Sequence, residues 1–424
     1  HNAGGILAMK KRSYRAQKVN EVRWEEVADR VKDKAVVWAV DVAKVEQYGV
    51  LMDSEREVVV TVKWAHPAET PALLERLRGL ACGSLTAVME STGVYGDTLR
   101  RQLREAGIEV HQMSAKRVHD ACEVYDGVPS MHDAKAAQVI GRLYLEGASR
   151  VWVEASEQQR SHDAIGRLYR LYQKQHQQHQ NRLEAALQRH WPELPHYLDL
   201  DGITLEDLLL SYGSPAELSA QAEEGRERMR RISRGKLAAE KIEAVLESAR
   251  HSIGVPCVAA EREYLMALGA ELRYSREQKE RVGLRLSALT QADPELHALG
   301  VTLGKVTTGL LIAEGLDPRA YANSGSYCKA LGLNLKERSS GQHKGQIKIT
   351  KRGSGSARRD LYLATLRLIQ RNEIVKTWFE NKVKSNGGRN KQRIVVALMR
   401  KLSRALWYVA RGQAFDARRL CAVG

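Results

Sequence analysis

Three short apolar segments near the start of the chain constrain its fold most. Residues 35–42, 48–53 and 58–64 are rich in β-branched side chains and are separated by only a few polar residues, a pattern typical of an antiparallel meander. After Pro67 helical spacing alternates with two further short apolar runs, 85–89 and 108–112. This order predicts an α/β domain with a ribonuclease-H-like fold.

Three acidic residues stand where such a fold places carboxylates together. Asp41 follows the first apolar run, Glu90 ends the fourth predicted strand, and Asp133 begins a helix. Carboxylates that converge from separate elements form an oxygen cage for Mg²⁺, and bound Mg²⁺ activates phosphodiesters. The alternative stays open that Asp41 lies beside a turn, Glu90 is exposed and Asp133 is an ordinary acid at a helix start.

Two long helical patterns follow this domain, at residues 154–191 and 259–290. The first has a heptad-like seam of apolar and polar residues that includes His176 and His179. Both histidines are interpreted as polar seam residues, because no carboxylate partner is evident. Short helices and loops are expected between the two long helices. The pair predicts an antiparallel or intersubunit coiled coil that serves as a dimerisation or positioning arm.

The positive charge is concentrated in the last quarter of the chain. Residues 318–424 carry 24 Lys and Arg against 5 Asp and Glu, a net of +19 that exceeds the +16 of the whole chain. This asymmetry predicts a nucleic-acid partner. The basic faces of the helical patterns at 360–370 and 389–411 are the expected phosphate contacts, and Leu398, Leu402, Leu406 and Val409 are expected to form core.

The cysteines and the hydropathy pattern restrict the compartment. Five widely spaced cysteines without a CxxC pair indicate neither a disulfide framework nor a zinc site. A reducing compartment such as the bacterial cytoplasm, with action at the nucleoid, is expected. No run of about 18 apolar residues occurs, so no membrane span is predicted.

A basic segment at residues 331–353 contains two adjacent serines, Ser339 and Ser340. A serine needs an activating base or charge-stabilising surroundings to attack a phosphodiester. The cations around it are candidates for that role and for nucleic-acid binding; they are Arg338, Lys344, Lys348, Lys351, Arg352, Arg358 and Arg359. The alternative is a loop that holds phosphate while its serines make ordinary turn hydrogen bonds.

A glycine and a lysine open an apolar helical pattern at residues 302–314. The pattern is similar to a helix-hairpin-helix element, whose amides bind phosphate without reading sequence. An ordinary helix start is the alternative.

Taken in order, these motifs resemble the DEDD-type transposases of the one-ten insertion-sequence family, relatives of the Piv DNA invertase. The resemblance is carried by Val40-Asp-Val-Ala-Lys44, Glu90-Ser-Thr-Gly-Val-Tyr-Gly96, and the stretches 125–143, 302–317, 331–341 and 347–353. It implies a RuvC-like domain at residues 30–150, a coiled-coil arm at 151–295 and a mostly helical, serine-containing transposase domain at 296–424.

The resemblance also implies a chemistry and a set of partners. Asp41, Glu90 and Asp133 match three acids of a Mg²⁺-binding quartet, and Ser340 matches a serine that attacks DNA. The implied partners are donor DNA, target DNA and a structured non-coding bridge RNA. A homodimer or homotetramer is implied, in which one subunit's acids meet another's serine.

One position departs from the family pattern. The family motif Asp-x-x-Asp-Ala appears here as Asp133-Ala-Lys-Ala136-Ala137, so the fourth acid is Ala136. An engineered change, a degenerate natural copy and compensation by another acid such as Asp126 all stay open. The departure favours one alternative to an active recombinase, a catalytically impaired protein that binds RNA and DNA. A RuvC-like endonuclease that cuts with metal-activated water is the third hypothesis.

Overall fold

The computed structural model describes residues 14–91, 93–125, 127–128, 132–291, 293–337, 345 and 347–421. The chain divides into two compact units, His1–Ala155 and Ser156–Gly424. The expected C-terminal domain, and all of the expected arm except residues 151–155, fall in the second unit. A boundary between them near residue 295 stays a prediction.

A seven-stranded mixed sheet is the centre of the first unit within the described residues. Its strands are β1 (Gln17–Lys18), β2 (Ala35–Asp41), β3 (Glu46–Asp53), β4 (Val58–Ala65), β5 (Ser84–Glu90), β6 (Glu109–Met113) and β7 (Arg150–Val151). They are arranged in the order β1-β4-β3-β2-β5-β6-β7. β2, β3 and β4 form the predicted antiparallel meander, whereas β5 and β6 run parallel to β2. The predicted α/β class is confirmed for this unit.

Helices cover both faces of this sheet. They are α1 (Trp24–Val31), α2 (Thr70–Arg78), α3 (Asp97–Glu105), α4 (Ala115–Ala121) and α5 (Asp133–Leu145). One core layer contains Trp38, Leu73 and Leu99, from β2, α2 and α3. The opposite layer contains Ala39 and Ile140, from β2 and α5. Because neighbouring residues of β2 belong to opposite layers, the strand is buried on both sides.

The second unit begins with two long helices and a group of short ones. They are α6 (Glu157–His190), α7 (Leu194–Tyr197), α8 (Ile203–Ser211), α9 (Pro215–Ala220), α10 (Ala222–Ile232), α11 (Ala239–Arg250) and α12 (Ala259–Ala288). His176 lies beside Ser275 and Arg189 beside Glu261, so α6 and α12 run antiparallel. The two long helices predicted from the sequence are therefore present as an intrachain pair. Their supercoiling and any role between subunits stay predictions.

The far end of this helix pair has a core of its own. Leu187, Trp191, Leu208, Leu246 and Leu272 belong to one buried cluster, which joins α6 and α12 to the short helices between them. The short helices expected at residues 196–235 are present as α7 to α10, and a further helix, α11, follows them. The helix pair is consequently closed by a packed helical cap.

The remaining elements form a helical C-terminal region. They are α13 (Pro294–Leu303), α14 (Lys305–Ala313), α15 (Ser324–Ala330), β8 (Leu335–Lys336), β9 (Lys348–Ile349), α16 (Gly355–Arg371), α17 (Glu373–Ser385), α18 (Lys391–Val409) and α19 (Ala417–Cys421). Leu398, Leu402, Leu406 and Val409 are all buried in the core of this region. The apolar stripe predicted for the last long helix is confirmed.

Among the described residues, no single helix is both long and apolar enough to span a membrane. The pair α13 and α14, bent by 119° at its junction, reaches that length and hydropathy only when the two helices are taken together.

The cap core yields a stability prediction. Leu272→Ala removes a fully buried side chain of α12, and such truncations cost about 2–5 kcal/mol. Leu284→Ala, on the same helix, removes a side chain that is 73% exposed and should cost less than about 0.5 kcal/mol. Hydrogen–deuterium exchange should therefore accelerate in α6 and α12 peptides of the first variant and stay at the wild-type rate in the second. Equal exchange in both variants would contradict the assigned packing.

Candidate active site and nucleic-acid interface

The alternation of side chains along β2 and β5 places two acids on one face of the sheet. Val37 and Ala39 pack in the layer beneath α5, and Asp41 shares their parity. Val88 of β5 packs in the same layer, and Glu90 shares its parity. β2 and β5 are parallel and paired up to Val40 and Met89, so the two carboxylates leave neighbouring strands at the same edge.

Helix α5 contributes the third acid to this edge. Asp133 is its first residue and is exposed. It lies one helical turn before Ala137, which packs on the sheet in the same layer as Ala39. The shared function that the sequence predicts for Asp41, Glu90 and Asp133 stays a prediction. The charges of Glu90 and Asp133 nevertheless affect the ionisation of Asp41.

Asp41 is the residue most affected by this arrangement. Burial is the largest cause, followed by the negative charges of Asp133 and Glu90, and together they raise the pKa of Asp41 to about 6. Burial also raises the pKa of Glu90. Each carboxylate therefore disfavours ionisation of Asp41, which is the expected result when acids share a site without a cation.

The three acids fit a hard cation, although the described residues are not arranged as a preformed metal site. Within the described ranges, no three His, Cys, Asp or Glu side chains already form a metal-binding group. The acids are close enough to repel one another, and this repulsion acts over longer distances than those between the ligands of one metal ion. All the candidate ligands are carboxylate oxygens, the ligand type that Mg²⁺ prefers.

Ala136 occupies the helix face next to Asp133. It lies three residues after Asp133 in α5 and is 6% exposed. Residues three apart share a helix face, so an acid at position 136 would enter the same region as the three carboxylates. The other suggested source of a fourth acid, Asp126, lies outside the described residues.

The Glu-Ser-Thr-Gly-Val-Tyr-Gly motif has a structural basis in the support of Glu90. The buried Arg100 of α3 donates a 3.1 Å hydrogen bond to the Glu90 carbonyl and a 2.7 Å bond to Asp97. A side chain at Gly96 would meet the Arg100 guanidinium at 2.7 Å. Ser91 donates its hydroxyl to the Met113 carbonyl. The motif thus positions the end of β5 as well as supplying the acid.

Tyr48 is a neighbour of the acids that the sequence reasoning missed. It lies opposite Asp41 in the antiparallel pairing of β2 with β3. Its hydroxyl donates to Glu46 at 2.8 Å. This hydrogen bond is the largest cause that raises the pKa of Tyr48 to about 12, and the charge of Asp133 is a smaller one. The sequence alone could identify Tyr48 only if the turn between β2 and β3 were located correctly, because the position of that turn determines which residue lies opposite Asp41.

The predicted nucleophile segment is only partly accessible to structural description. Arg338, Ser339, Ser340 and Lys344 lie outside the described residues. The strands that precede and follow them, β8 and β9, pair antiparallel with Lys336 directly opposite Lys348. Like charges directly opposite each other destabilise a strand pair. An anion near the two ammonium groups would relieve that repulsion.

The other predicted nucleic-acid contacts differ in their surroundings. Lys351 and Arg352 are exposed, and Lys351 has a left-handed backbone with φ of 56°. Arg358 is half-buried and donates to the carbonyls of Leu331 and Gly353 at 3.3 and 3.1 Å. Its guanidinium therefore braces the segment's backbone, and its role toward nucleic acid stays a prediction.

Arg359 and Asp360 connect the start of α16 to α6. Arg359 donates to Gln173 at 3.0 Å and stays half exposed. The buried Asp360 accepts a 2.7 Å hydrogen bond from Arg170, which also pairs with Glu314. These charge-assisted bonds hold α16, which follows the basic segment directly, against α6 and α14.

Nearby, the junction of α13 and α14 forms a basic cavity. Gly304 has φ of 95°, a conformation that favours glycine. Arg367 donates to Thr307 at 2.8 Å and to the Leu303 carbonyl at 3.3 Å, so it spans the junction. A cavity of about 350 Å³ opens here, and Lys305, Arg367 and Arg371 line it. The predicted hairpin-like helix start is thus combined with three cations.

A Ser–His–Asp chain in the helix pair is structural. His176 contacts Ser275 at 3.2 Å and Asp201 at 2.7 Å. Ser275 is 1% exposed, and its hydroxyl donates to the Leu272 carbonyl. A nucleophile must reach its substrate, so this serine does not qualify. The interpretation of His176 as a polar seam residue holds, but the expectation that it lacks a carboxylate partner is wrong.

The raised pKa of Asp41 yields a pH prediction. The native pKa of about 6 exceeds the value of about 4 in an unfolded chain, so the native state loses stability as pH rises between these values. Asp41→Asn removes that loss, which is about 2 kcal/mol between pH 4 and pH 8 because Asp41 of the unfolded chain is already half ionised at pH 4. In EDTA, the Tm of the variant relative to wild type should therefore be about 4–8 °C higher at pH 8 than at pH 4.

Addition of Mg²⁺ at pH 8 is the second arm of this test. It should raise the Tm of the wild type and leave that of Asp41→Asn almost unchanged, because the variant lacks the central carboxylate. The same Tm difference between the two proteins at both pH values would contradict the assigned coupling.

Comparison with known proteins matches two stretches of the chain to transposase models of one family. The DEDD transposase model of IS110 matches residues 38–192, which include Asp41, Glu90 and Asp133. The model described as Transposase IS116/IS110/IS902 family matches residues 302–380, which include Ser340. No curated protein matches the chain. The first model implies the RuvC-like α/β fold. Because both models describe transposases of the IS110 type, the chain belongs to the IS110-type transposases.

Proposed function

We propose that this transposase recombines DNA through a serine nucleophile, Ser340, with Mg²⁺ held by Asp41, Glu90 and Asp133. The observation that carries the proposal is the raised pKa of Asp41, caused by burial and by the charges of Asp133 and Glu90. Three carboxylates that repel one another at a strand edge gain most from a shared divalent cation. Such a cation supplies charge stabilisation to a phosphodiester undergoing displacement.

The serine step conserves the number of phosphate ester bonds. The Ser340 hydroxyl attacks a backbone phosphorus, the bond to one deoxyribose oxygen breaks, and that oxygen takes up the proton that serine loses. A hydroxyl from a second DNA strand then attacks the same phosphorus, the bond to the serine oxygen breaks, and that oxygen takes up the proton that the attacking hydroxyl loses. Cations of the surrounding segment, including Lys348 and Lys351, stabilise the charge that develops on the phosphate.

Nucleic-acid binding is supported by the charge of the second unit. Among the described residues, Lys336 lies opposite Lys348. The cavity at the junction of α13 and α14, called the α14 cavity, is lined by Lys305, Arg367 and Arg371. We propose donor DNA, target DNA and a structured non-coding guide RNA as partners. A homodimer or homotetramer with composite active sites, assembled through the α6–α12 arm, completes the proposal.

Ala136 favours a second candidate function. Loss of one carboxylate weakens a metal site, which would leave a protein that binds RNA and DNA without recombining them. A RuvC-like endonuclease is the third candidate. It would use water in place of serine and would cut DNA without forming a protein–DNA adduct.

A covalent-adduct experiment separates the three functions. The full chain, co-expressed with its flanking non-coding RNA, is mixed with labelled element-end and target DNA and Mg²⁺. A protease-sensitive protein–DNA adduct is expected in the wild type, and Ala136→Asp should increase its yield at least about 10-fold because a fourth ligand strengthens the site. Ser340→Ala should abolish the adduct in both backgrounds and leave DNA binding intact.

Ser339→Ala is the matched control for this experiment and should keep the adduct. An adduct that survives Ser340→Ala and vanishes with Ser339→Ala would move the nucleophile by one residue. Tight binding without an adduct in any protein would favour the binding-only function. Cut DNA without an adduct would favour the endonuclease.

Phosphate binding at the α14 cavity predicts a change in salt dependence. Lys305→Ala combined with Arg371→Ala removes two exposed cations of that cavity. The slope of log affinity for duplex DNA against log salt should fall by about 2, since each lost phosphate contact lowers it by about 1. The charge-conserving pair Lys305→Arg and Arg371→Lys should keep the wild-type slope. An unchanged slope in the alanine protein would exclude the cavity as a contact.

A further inference from the structure

The outer face of α18 combines cations and one aromatic side chain in one stripe. Arg393, Ala397, Lys401, Arg404 and Tyr408 recur at three- and four-residue intervals, so they share one side of the helix. Leu398, Leu402 and Leu406 of the opposite side are fully buried. We call the first set the α18 stripe. It spans about 22 Å at 1.5 Å per residue.

Two cavities open on the α18 stripe and share one lysine. The first has a volume of about 530 Å³ and includes Trp378, Arg393 and Lys401 in its lining. The second has a volume of about 410 Å³ and includes Lys401, Tyr408 and Phe415. Volumes of this size accommodate small organic groups. Because Lys401 borders both, the cavities follow one another along the helix.

The first cavity lies at an uncapped helix start. Asn390 precedes α18 with φ of 60°, and its side chain caps none of the helix's N–H groups. Arg393 and Lys382, which line the cavity, form no ion pair with any described residue. The helix start and these cations together favour an anion such as phosphate.

Aromatic and apolar surfaces distinguish these cavities from a simple phosphate site. Lys401 lies 5.3 Å from the centre of the Trp378 ring. The Trp378 indole N–H is shielded from solvent and meets no acceptor within the described part of the chain. Tyr408 is 43% exposed, and Phe415 and Leu420 line the cavity beside it. Flat apolar walls next to cations suit a nucleobase joined to phosphate.

The chain segment around the two cavities contains many cations and almost no acids. Residues 381–421 contain eleven Lys and Arg and one acid, Asp416. Asp416 lies 3.8 Å from Arg419 at the rim of the second cavity. The segment follows the stretches that the two transposase models match, which end at residue 380. Apart from Trp378, the residues that line the two cavities therefore lie beyond the matched stretches.

We propose that the α18 stripe binds a single strand of nucleic acid, with unpaired bases in its two cavities and phosphates on Arg393, Lys401 and Arg404. A duplex keeps its base faces stacked inside, so it offers no base to the cavities. The proposal deepens the proposed nucleic-acid partnership and is independent of the serine chemistry. Single-stranded RNA and DNA share the required chemistry.

The test measures binding of the full chain to labelled 12-nucleotide single strands of RNA and DNA and to a 12-base-pair duplex. Tyr408→Ala should weaken binding to at least one single strand about 5- to 100-fold, the range for loss of one stacked base. Tyr408→Phe keeps the ring and should bind like wild type. Duplex affinity should change less than about 2-fold in both variants.

A charge-matched pair tests the cations. Arg393→Ala with Arg404→Ala should weaken single-strand binding at least about 10-fold. Lys384→Ala with Arg418→Ala removes the same charge from exposed residues that line neither cavity and should cost less than about 3-fold. Equal losses of single-strand affinity in the two double variants would mean that binding depends on net charge alone, and this would overturn the proposal.

The outcomes also separate this proposal from the recombinase function. Loss of binding to RNA alone, or to DNA alone, in Tyr408→Ala assigns the strand and supports the α18 stripe. Equal weakening of single strands and duplex, or no change in either, overturns it. A wild-type level of serine adduct alongside unchanged single-strand binding in Tyr408→Ala would leave the recombinase function standing and remove the α18 stripe.

Discussion

The parallel pairing of β2 with β5 is the constraint on which the candidate acidic site depends. In-register hydrogen bonding from Ala35 with Ser84 to Val40 with Met89 brings Asp41 and Glu90 to adjacent strand ends. The interleaved core layers then decide which face each carboxylate occupies. Arg100, bound to the Glu90 carbonyl, keeps the end of β5 in place. The unfavourable interaction among the acids is thus maintained by packing that is stronger than their repulsion.

Sequence patterns predicted this domain because its strands differ in composition from the segments that separate them. The β-branched segments, and acids at the ends of apolar runs, identify the strands and the edge where Asp41 and Glu90 emerge. Tyr48 and Arg100 were not predicted, since their roles depend on strand register and on a buried bond to a backbone carbonyl. Neither property leaves a periodic signal along the chain.

In the second unit, the sequence predicted the long helices and the location of positive charge better than the use of each cation. Arg358 and Arg367 carry charges that suit phosphate, but both donate to backbone carbonyls in the described fold. Arg393 and Arg404 have the same side chain and donate to no backbone carbonyl among the described residues. Composition cannot separate a bracing arginine from an available one, because the difference depends on which carbonyls lie within reach.

The antiparallel course of α6 and α12 has a consequence for how the chain tolerates change in length. Gln159, near the start of α6, donates to the Ala313 carbonyl of α14, and Leu286, near the end of α12, packs on the same helix. The chain therefore leaves and re-enters the C-terminal region at one place. Seven residues added to each long helix would move the helical cap outward by about 10 Å without altering that junction. A change in the length of the helix pair would therefore leave its packing on α14 unaltered.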